Sequence, residues 1–321
     1  MREQLKIVTC PLELNQSHLF YCLKNFVNNS DLYLKLEGIN PAGSIKIKPA
    51  IKMLEELEKQ GLINAKQHSI IESSSGNLGI ALSIACHRKG YRFTCISDPN
   101  INDSSQKYIK LYGAELIIVT DRDENGGFLN TRIRLIESKL KTDPNLIWLN
   151  QYTSINNIAA HSSKTAVEIF NSLGSVDYLF VGAGTTGTLM GCANYIKQNS
   201  LHTKLIAIDV IGSVTFGSPS AKRFIPGLGT SRKPEIADPE MVDDILMISE
   251  ADTIKMCRQI LKIETLLIGG STGTVLAGVK QYGDRLPPSA SIAAISPDFG
   301  DRYIDTIYND KWVKDRFPQL L

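Results

Sequence analysis

One lysine of the chain, Lys46, ends a turn of small residues that follows an apolar run. The turn reads Asn40-Pro41-Ala42-Gly43-Ser44-Ile45-Lys46, and the apolar run over residues 32–36 predicts a strand. A solvated lysine has a pKa near ~10.4 and is a poor nucleophile, so covalent chemistry would require burial or a nearby cation to lower that pKa. The alternative is an ordinary strand-to-helix turn in which Ser44 caps a helix over residues 45–60.

Further turns of glycine, serine and threonine also precede predicted helices. They read Ser73-Ser74-Ser75-Gly76-Asn77, Gly182-Ala183-Gly184-Thr185-Thr186-Gly187-Thr188 and Gly269-Gly270-Ser271-Thr272-Gly273-Thr274. Unpaired backbone N–H groups at a helix start, with hydroxyl donors beside them, bind phosphate or carboxylate. The sequence therefore predicts anion-binding sites at the first two of these turns.

The second of these turns also matches a dinucleotide-binding fingerprint. Gly182-x-Gly184-x-x-Gly187 follows a predicted strand, and Asp209 ends the next strand about 20 residues on, where a ribose-binding acid is expected. Taken alone, this motif indicates an NAD site. We favour a different interpretation, because the threonines suit a compact phosphate monoester. NAD would also leave the lysine turn and the Ser-Gly-Asn turn without a role.

Taken in order, the four motifs resemble those of the cysteine synthase/cystathionine β-synthase family of pyridoxal phosphate enzymes, the fold type II group. The resemblance extends over about residues 11–303. It implies an α/β, two-domain fold like that of the tryptophan synthase β subunit, with mainly parallel sheets flanked by helices. Within the family, the chain is most similar to the N-(2-amino-2-carboxyethyl)-L-glutamate synthases of staphyloferrin B siderophore biosynthesis. The motifs similar to that branch are residues 72–81, Gly126-Gly127-x-Leu129-x-Thr131-Arg132, Asn150-Gln151-Tyr152, and residues 212–217, 226–229 and 298–303.

The resemblance implies a role for residues in each motif. Lys46 would be the Schiff-base lysine that also removes the substrate α-proton, and Ser271 would face the pyridine nitrogen of the cofactor, pyridoxal 5′-phosphate. Asn77 would hydrogen-bond the 3′ oxygen of the cofactor. The residues implied to bind its phosphate are Gly184, Thr185, Thr186, Gly187 and Thr188. The residues implied to bind the substrate are Ser74, Ser75, Gly76, Asn77, Gln151 and Tyr152.

The implied reaction is a pyridoxal phosphate-dependent β-replacement on an activated L-serine through an α-aminoacrylate. L-Glutamate or a related amine would be the nucleophile of this transferase, toward 2,3-diaminopropionate for a siderophore or another specialised metabolite. By analogy, residues 212–232 would face the second substrate, with Arg232 or Ser213 meeting a distal carboxylate. Two alternatives stay open: a cysteine synthase that uses sulfide, and a non-catalytic homologue that acts as a binding partner.

The chain departs from the family pattern at positions that bear on the substrate. Lys46-Ile47-Lys48 replaces the usual Lys-Asp-Arg, so an acid and a bidentate cation are missing. Tyr152 follows the siderophore branch and favours O-phosphoserine, because a phenol can hydrogen-bond a leaving phosphate. Gly184 is the residue of cysteine synthases and favours O-acetylserine. The donor is therefore left open between the two.

The composition favours an enzyme that acts on small molecules. The 321 residues are 43% hydrophobic and can bury a large core, while 35 basic and 33 acidic side chains nearly cancel. We therefore expect amino acid substrates and no binding to nucleic acid or membrane. Without an apolar run of ~20 residues or a signal peptide, a cytoplasmic location is expected. The cysteines form no Cys-x-x-Cys pair and the histidines show no metal-ligand spacing, so we expect reduced thiols and no metal. A homodimer is implied by the family alone.

Apolar runs alternate with turn residues and predict strands and helices in alternation, the pattern of mainly parallel α/β sheets. Strands are expected at 32–36, 69–72, 92–97, 115–119, 146–149, 178–181, 205–210 and 291–296. Helices are expected at 45–60, 77–89, 103–112, 126–141, 156–173, 187–199, 250–263 and 272–284. By resemblance, residues 1–44 plus 151–321 form a large cofactor-binding domain, and residues 45–150 form a small mobile domain.

Overall fold

The computed structural model of the chain describes residues 7–124 and 126–320. Its strands are β1 (Phe20–Val27), β2 (Ser30–Leu36), β3 (Ser69–Ser73), β4 (Arg92–Ser97), β5 (Glu115–Ile118), β6 (Leu146–Trp148), β7 (Tyr178–Gly182), β8 (Lys204–Val210), β9 (Asp244–Ile248) and β10 (Ile292–Ser296). Its helices are α1 (Ile47–Lys59), α2 (Asn77–Lys89), α3 (Asp103–Leu111), α4 (Leu129–Leu140), α5 (Ile155–Ala160), α6 (Ala166–Leu173), α7 (Gly187–Gln198), α8 (Glu250–Glu264), α9 (Gly270–Gln281) and α10 (Asp310–Arg316). A π-helical turn, His161–Thr165, joins α5 to α6.

The strands of the described residues form two sheets. The larger has the order β1-β2-β10-β7-β8-β9, and the smaller has the order β5-β4-β3-β6. Neighbouring strands are parallel except β1 and β2, which are antiparallel. Because the carboxyl ends of parallel strands lie at one edge of a sheet, the turns that follow these strands converge there.

The predicted strands and helices correspond to observed elements, with small differences at their ends, except that the helix expected at 156–173 is divided into α5 and α6 by the π-helical turn. The apolar pattern does not predict β1, β9 or α10. Helix α1 begins at Ile47, and Ser44 does not cap it, because its hydroxyl has no hydrogen-bond partner among the described residues. The smaller sheet is formed within residues 69–148, while the division into two domains and the mobility of the smaller one stay predictions.

Two apolar helices anchor the turns that precede them. Helix α9 is buried from Gly270 to Val279, as expected of a helix that is apolar on every side, and it packs in one core with the larger sheet. Helix α2 is buried from Leu78 to Cys86 and packs with α1 in a second core. The starts of both helices are therefore held by buried side chains. None of the described helices is long and apolar enough to cross a membrane.

Four charged side chains form a buried cluster between β2, α1 and α6. Lys48 lies 2.8 Å from Glu37 and 2.7 Å from Glu168, and Lys35 lies 3.2 Å and 2.8 Å from the same carboxylates. The exposed fraction of each side chain is 4% or less. Since two ammonium groups face two carboxylates, the cluster is neutral. Removing any one member would leave an uncompensated charge in a buried site.

We expect Glu168→Gln to lower the free energy of unfolding by about 3–5 kcal/mol, because it leaves one lysine of the cluster without a compensating charge. Urea denaturation of the wild type and the variant measures this loss. Glu137→Gln is the matched control, since Glu137 is exposed on α4, and it should change stability by less than about 0.5 kcal/mol. An equal, small effect of both substitutions would contradict the role of the cluster.

Candidate active site

A cavity of about 500 Å³ lies where the turns after the parallel strands meet. Every residue that the family resemblance implies for the cofactor or for the α-amino acid part of the substrate borders it, which brings the four motifs into one place. Those residues are Lys46, Ser74, Ser75, Gly76, Asn77, Gln151, Tyr152, Gly184, Thr185, Thr186, Gly187, Thr188 and Ser271. The structure thus places these residues together, while the role of each stays a prediction.

Lys46 occupies the N-cap position of α1, at the edge of the cavity. It forms no ion pair within the described part of the chain, and burial alone lowers the pKa of its ammonium group to about 8. A lysine in this condition is partly neutral near pH 7, and its free amine can attack a carbonyl or accept a proton. This is the condition that the sequence analysis set for covalent chemistry at Lys46.

The turn between β7 and α7 has the shape of an anion-binding site. Thr186 adopts a left-handed conformation with φ of +66°, and α7 begins at the next residue. A Cβ atom on Gly187 would lie 2.2 Å from Oδ1 of Asn157, so only glycine lets the turn approach that side chain. Unpaired N–H groups at the start of this 12-residue helix, with hydroxyls beside them, favour a phosphate.

Asn157 connects the turn before α7 to Gln151, one of the predicted substrate residues. Its Nδ2 atom donates to the backbone oxygen of Gln151 (2.8 Å) and to Oγ1 of Thr185 (3.2 Å). Gln151 in turn donates through Nε2 to the backbone oxygen of Ser73 (2.8 Å). The sequence does not single out Asn157, because an asparagine in a helix gives no local signal of such a role.

The turn before α2 is held by its own side chains and by the C-terminal part of the chain. Ser74 Oγ accepts hydrogen bonds from the backbone N–H groups of Gly76 (3.2 Å) and Gly79 (2.9 Å). Asn77 Nδ2 donates to Oδ2 of Asp298 (2.7 Å), and Arg302 donates to Oδ1 of Asn77. The side chain of Asn77 is therefore fixed in orientation on both sides.

Asp298 lies behind this contact and is 1% exposed. It also accepts from the hydroxyl of Tyr303 (3.0 Å), and burial raises the pKa of its carboxyl. Ser271 lies close by at the start of α9, next to the backbone of Gly227. Tyr303, Ser271 and Gly227 all line the cavity, so this end of it presents two hydroxyl groups.

Several arginines line the cavity without having been assigned a role from the sequence. Arg132 is 7% exposed and lies with Nε 3.4 Å from Oδ2 of Asp98, yet that Nε has no hydrogen-bond partner among the described residues. Arg223 donates to the backbone oxygen of Leu228 (3.1 Å). Burial raises the pKa of the Tyr152 phenol, against the opposing positive charges of Arg132 and Arg223. Tyr152 therefore keeps its proton and can donate it in a hydrogen bond.

The two residues suggested for a distal carboxylate do not line this cavity. Arg232 is exposed and lies 2.9 Å from Glu235, and Ser213 is fully buried, where its hydroxyl contacts Thr215 (3.0 Å). Lys222 and Arg223, in the same segment, are the cations that border it. The sequence could indicate that a cation lies in this segment, but it could not show which side chain points toward the cavity.

The structure also removes the main support for an NAD site. Asp209, the acid expected to bind a ribose, is fully buried and does not border the cavity. Its carboxylate accepts from the N–H of Val210 (2.8 Å), and burial raises its pKa to about 6. Within the described residues, no group of three or more His, Cys, Asp and Glu side chains is arranged to hold a metal ion.

Comparison with known proteins gives the family of the chain. The family model described as "Pyridoxal-phosphate dependent enzyme" matches residues 20–298. The N-(2-amino-2-carboxyethyl)-L-glutamate synthase of Ralstonia nicotianae is 38% identical over 285 residues, which cover 88% of this chain and 84% of that protein. The family resemblance predicted from the motifs is thereby confirmed.

Solved structures give the same fold. An O-ureido-L-serine-bound mutant of O-ureido-L-serine synthase has a TM-score of 0.87 at 22% identity, over 97% of this chain and 98% of that one. A hydrogen sulfide-producing enzyme from Fusobacterium nucleatum has a TM-score of 0.83 at 30% identity, over 92% and 100%. These similarities confirm the predicted fold class. The chain belongs to the pyridoxal-phosphate-dependent enzyme family, in its cysteine synthase-like branch, and pyridoxal 5′-phosphate is its cofactor.

Proposed function

We propose that this enzyme is a transferase that replaces the β-substituent of an activated L-serine by L-glutamate or a related amine, toward 2,3-diaminopropionate. The observation that carries the proposal is the charge of the cavity around Lys46. Among the described residues, Asp98 is the single carboxylate that lines it, whereas cationic side chains surround it. These are Arg122, Arg132, Lys222, Arg223 and Arg302.

An excess of positive charge in a cleft suits ligands that bring several anionic groups. The cofactor contributes a phosphate, an activated serine contributes a carboxylate, and glutamate contributes two more. Sulfide as the nucleophile would bring no carboxylate to this positively charged cavity. The name of the relative from Ralstonia nicotianae supports the same nucleophile.

The residues of the cavity fit pyridoxal phosphate. The turn at Thr186 and Gly187 supplies helix N–H groups to a phosphate, and Lys46 supplies an amine of lowered pKa to a carbonyl. Ser271 borders the cavity with a neutral hydroxyl, which suits a ring nitrogen that is not held protonated. When bound, the cofactor withdraws electrons from the α-carbon of an amino acid substrate.

Lys46 would remove the proton from that α-carbon. A neutral Nζ accepts it, and the resulting ammonium can return it to the product. The turn from Ser74 to Asn77 and the amide of Gln151 would hold the substrate α-carboxylate at the start of α2. Because Asp298 and Arg302 fix Asn77, the substrate side of the cavity is preorganised.

The donor that the cavity favours is O-phosphoserine. Arg132 is buried with an unpartnered Nε, and Tyr152 keeps a proton beside it. A guanidinium and a phenol together bind a phosphate better than an acetyl group, because charge-assisted hydrogen bonds are the stronger kind.

A role in siderophore biosynthesis, a homodimeric assembly and a cytoplasmic location are further proposals, supported by the family resemblance and by composition.

The function is tested by incubating the purified holoenzyme with O-phosphoserine and either L-glutamate or sulfide, with mass spectrometry of the products. We expect the glutamate adduct, N-(2-amino-2-carboxyethyl)-L-glutamate. Lys46→Ala should remove both the visible absorbance of the bound cofactor and at least about 99% of turnover. Lys59→Ala, at the exposed end of α1, is the matched control and should leave both unchanged. Cysteine as the dominant product would instead establish the sulfide reaction.

The lowered pKa of Lys46 predicts a pH profile for cofactor capture. Only the neutral amine reacts, so the rate at which apoprotein gains the visible absorbance of pyridoxal phosphate should rise with pH and level off above about 8. An exposed lysine would continue to gain reactivity up to about pH 10. Stopped-flow absorbance over this range makes the measurement, and a profile that still rises between pH 9 and 10 would contradict the burial of Lys46.

Arg132→Lys tests the donor. It keeps a positive charge beside Asp98 but loses the bidentate fork, so KM for O-phosphoserine should rise about tenfold while KM for O-acetylserine changes little. Steady-state kinetics with both donors measures the split. Arg134→Lys, two residues on in α4 and exposed, is the matched control. Equal losses with the two donors would show that Arg132 does not discriminate between leaving groups.

A further inference from the structure

A chain of hydrogen bonds connects the buried charge cluster to the turn before α7. Lys48 Nζ donates to Thr165 Oγ1 (3.4 Å), Thr165 Oγ1 lies 3.0 Å from Nδ1 of His161, and Nε2 of His161 lies 3.3 Å from Oγ1 of Thr188. His161 and Thr165 are fully buried, and Thr188 borders the cavity. None of these contacts has a role in the reaction as described so far.

The local structure shows that this chain is built into the fold. His161 and Thr165 are the first and last residues of the π-helical turn between α5 and α6, and such turns are frequent at functional sites. Helix α7 packs directly on the turn. A Cβ atom on Gly191 would lie 2.5 Å from Cβ of His161, so glycine at that position permits the close approach.

The lysine sets the direction of the hydrogen bonds. An ammonium group only donates, and the three donors of Lys48 are matched by Glu37, Glu168 and Thr165. Thr165 Oγ1 therefore accepts from Lys48. Its own proton goes to Nδ1 of His161, since no other acceptor for it is present in the described part of the chain. Nε2 then carries the ring proton and donates to Thr188.

The imidazole is neutral, as this arrangement requires. Burial lowers the pKa of His161 well below 6.5, and the positive charges of Lys46 and Lys48 lower it further. A neutral ring has one donor and one acceptor. Because Nδ1 accepts from Thr165, Nε2 must be the donor to Thr188. With its oxygen accepting from His161, the Thr188 hydroxyl has its own proton left to donate toward the cavity.

We propose that His161 is a positioning residue that commits the Thr188 hydroxyl to donate to the cofactor phosphate, in a direction set by Lys48 through Thr165. A phosphate only accepts, so a hydroxyl held as a donor binds it better than one free to rotate. The inference rests on the proposed assignment of residues 184–188 to the phosphate. It also gives Lys48, which departs from the family pattern, a role in cofactor binding.

A double-mutant cycle with Thr165→Val and Thr188→Val tests this inference. Valine is close to threonine in shape, so Thr165→Val removes the hydroxyl with little change in volume and frees His161 to turn its acceptor toward Thr188. We expect Thr165→Val to weaken pyridoxal phosphate binding by about five- to tenfold in the parent chain and by less than about twofold in the Thr188→Val background. Titration of apoprotein measures affinity, and the phosphorus NMR shift of the bound cofactor should change in both single variants.

Ser163→Ala removes a hydroxyl from the same turn outside the hydrogen-bond chain and should leave affinity and shift unchanged. If Thr165→Val is equally harmful in both backgrounds, the residue has only a structural role and the proposal is wrong. Unchanged affinity in Thr188→Val would also overturn it. If Thr165→Val fails to fold, His161→Phe in the same two backgrounds replaces it. Because product formation is assayed separately, failure of the β-replacement would be seen independently of these results.

Discussion

The buried contacts among Lys35, Glu37, Lys48 and Glu168 are the interaction on which the site depends most. Each carboxylate is held by two lysines, so neither is left for Lys46, two residues before Lys48. Lys46 consequently faces the cavity without a counter-charge in the described structure, and burial alone acts on its pKa. Because the carboxylates of the cluster are already paired, they do not raise the pKa of Lys46. A lysine paired with a carboxylate would keep its proton.

Sheet topology supplies the second constraint. Parallel strands of the two sheets lead into the starts of α2 and α7, and α9 begins beside the same cavity, so their N–H groups and the cations of the loops face a common space. The potential there is positive before any ligand arrives. The proposed ligands, a cofactor phosphate and acidic amino acids, would compensate that charge.

Features with a local sequence signal could be predicted, and features that depend on distant residues could not. The turns at 73–77 and 182–188 follow apolar runs and contain their own glycines and hydroxyls, so turns before helices could be predicted there. Strand β1 was missed because Lys24 and Asn25 interrupt its apolar pattern at the edge of the sheet. The partners of Lys48 lie 11 and 120 residues away, which no local pattern encodes.

The replacement of the usual Asp-Arg by Ile47-Lys48 can now be understood physically. Ile47 is fully buried in the core of α1 and α2, where an aspartate would need a partner. Lys48 has three donors, and the structure offers it three acceptors, Glu37, Glu168 and Thr165. A planar arginine with five donors would leave some of them unmatched in so small a buried site. The substitution therefore reorganises the charges behind Lys46 rather than removing a catalytic group. Thr165 and His161 connect Lys48 to the turn before α7.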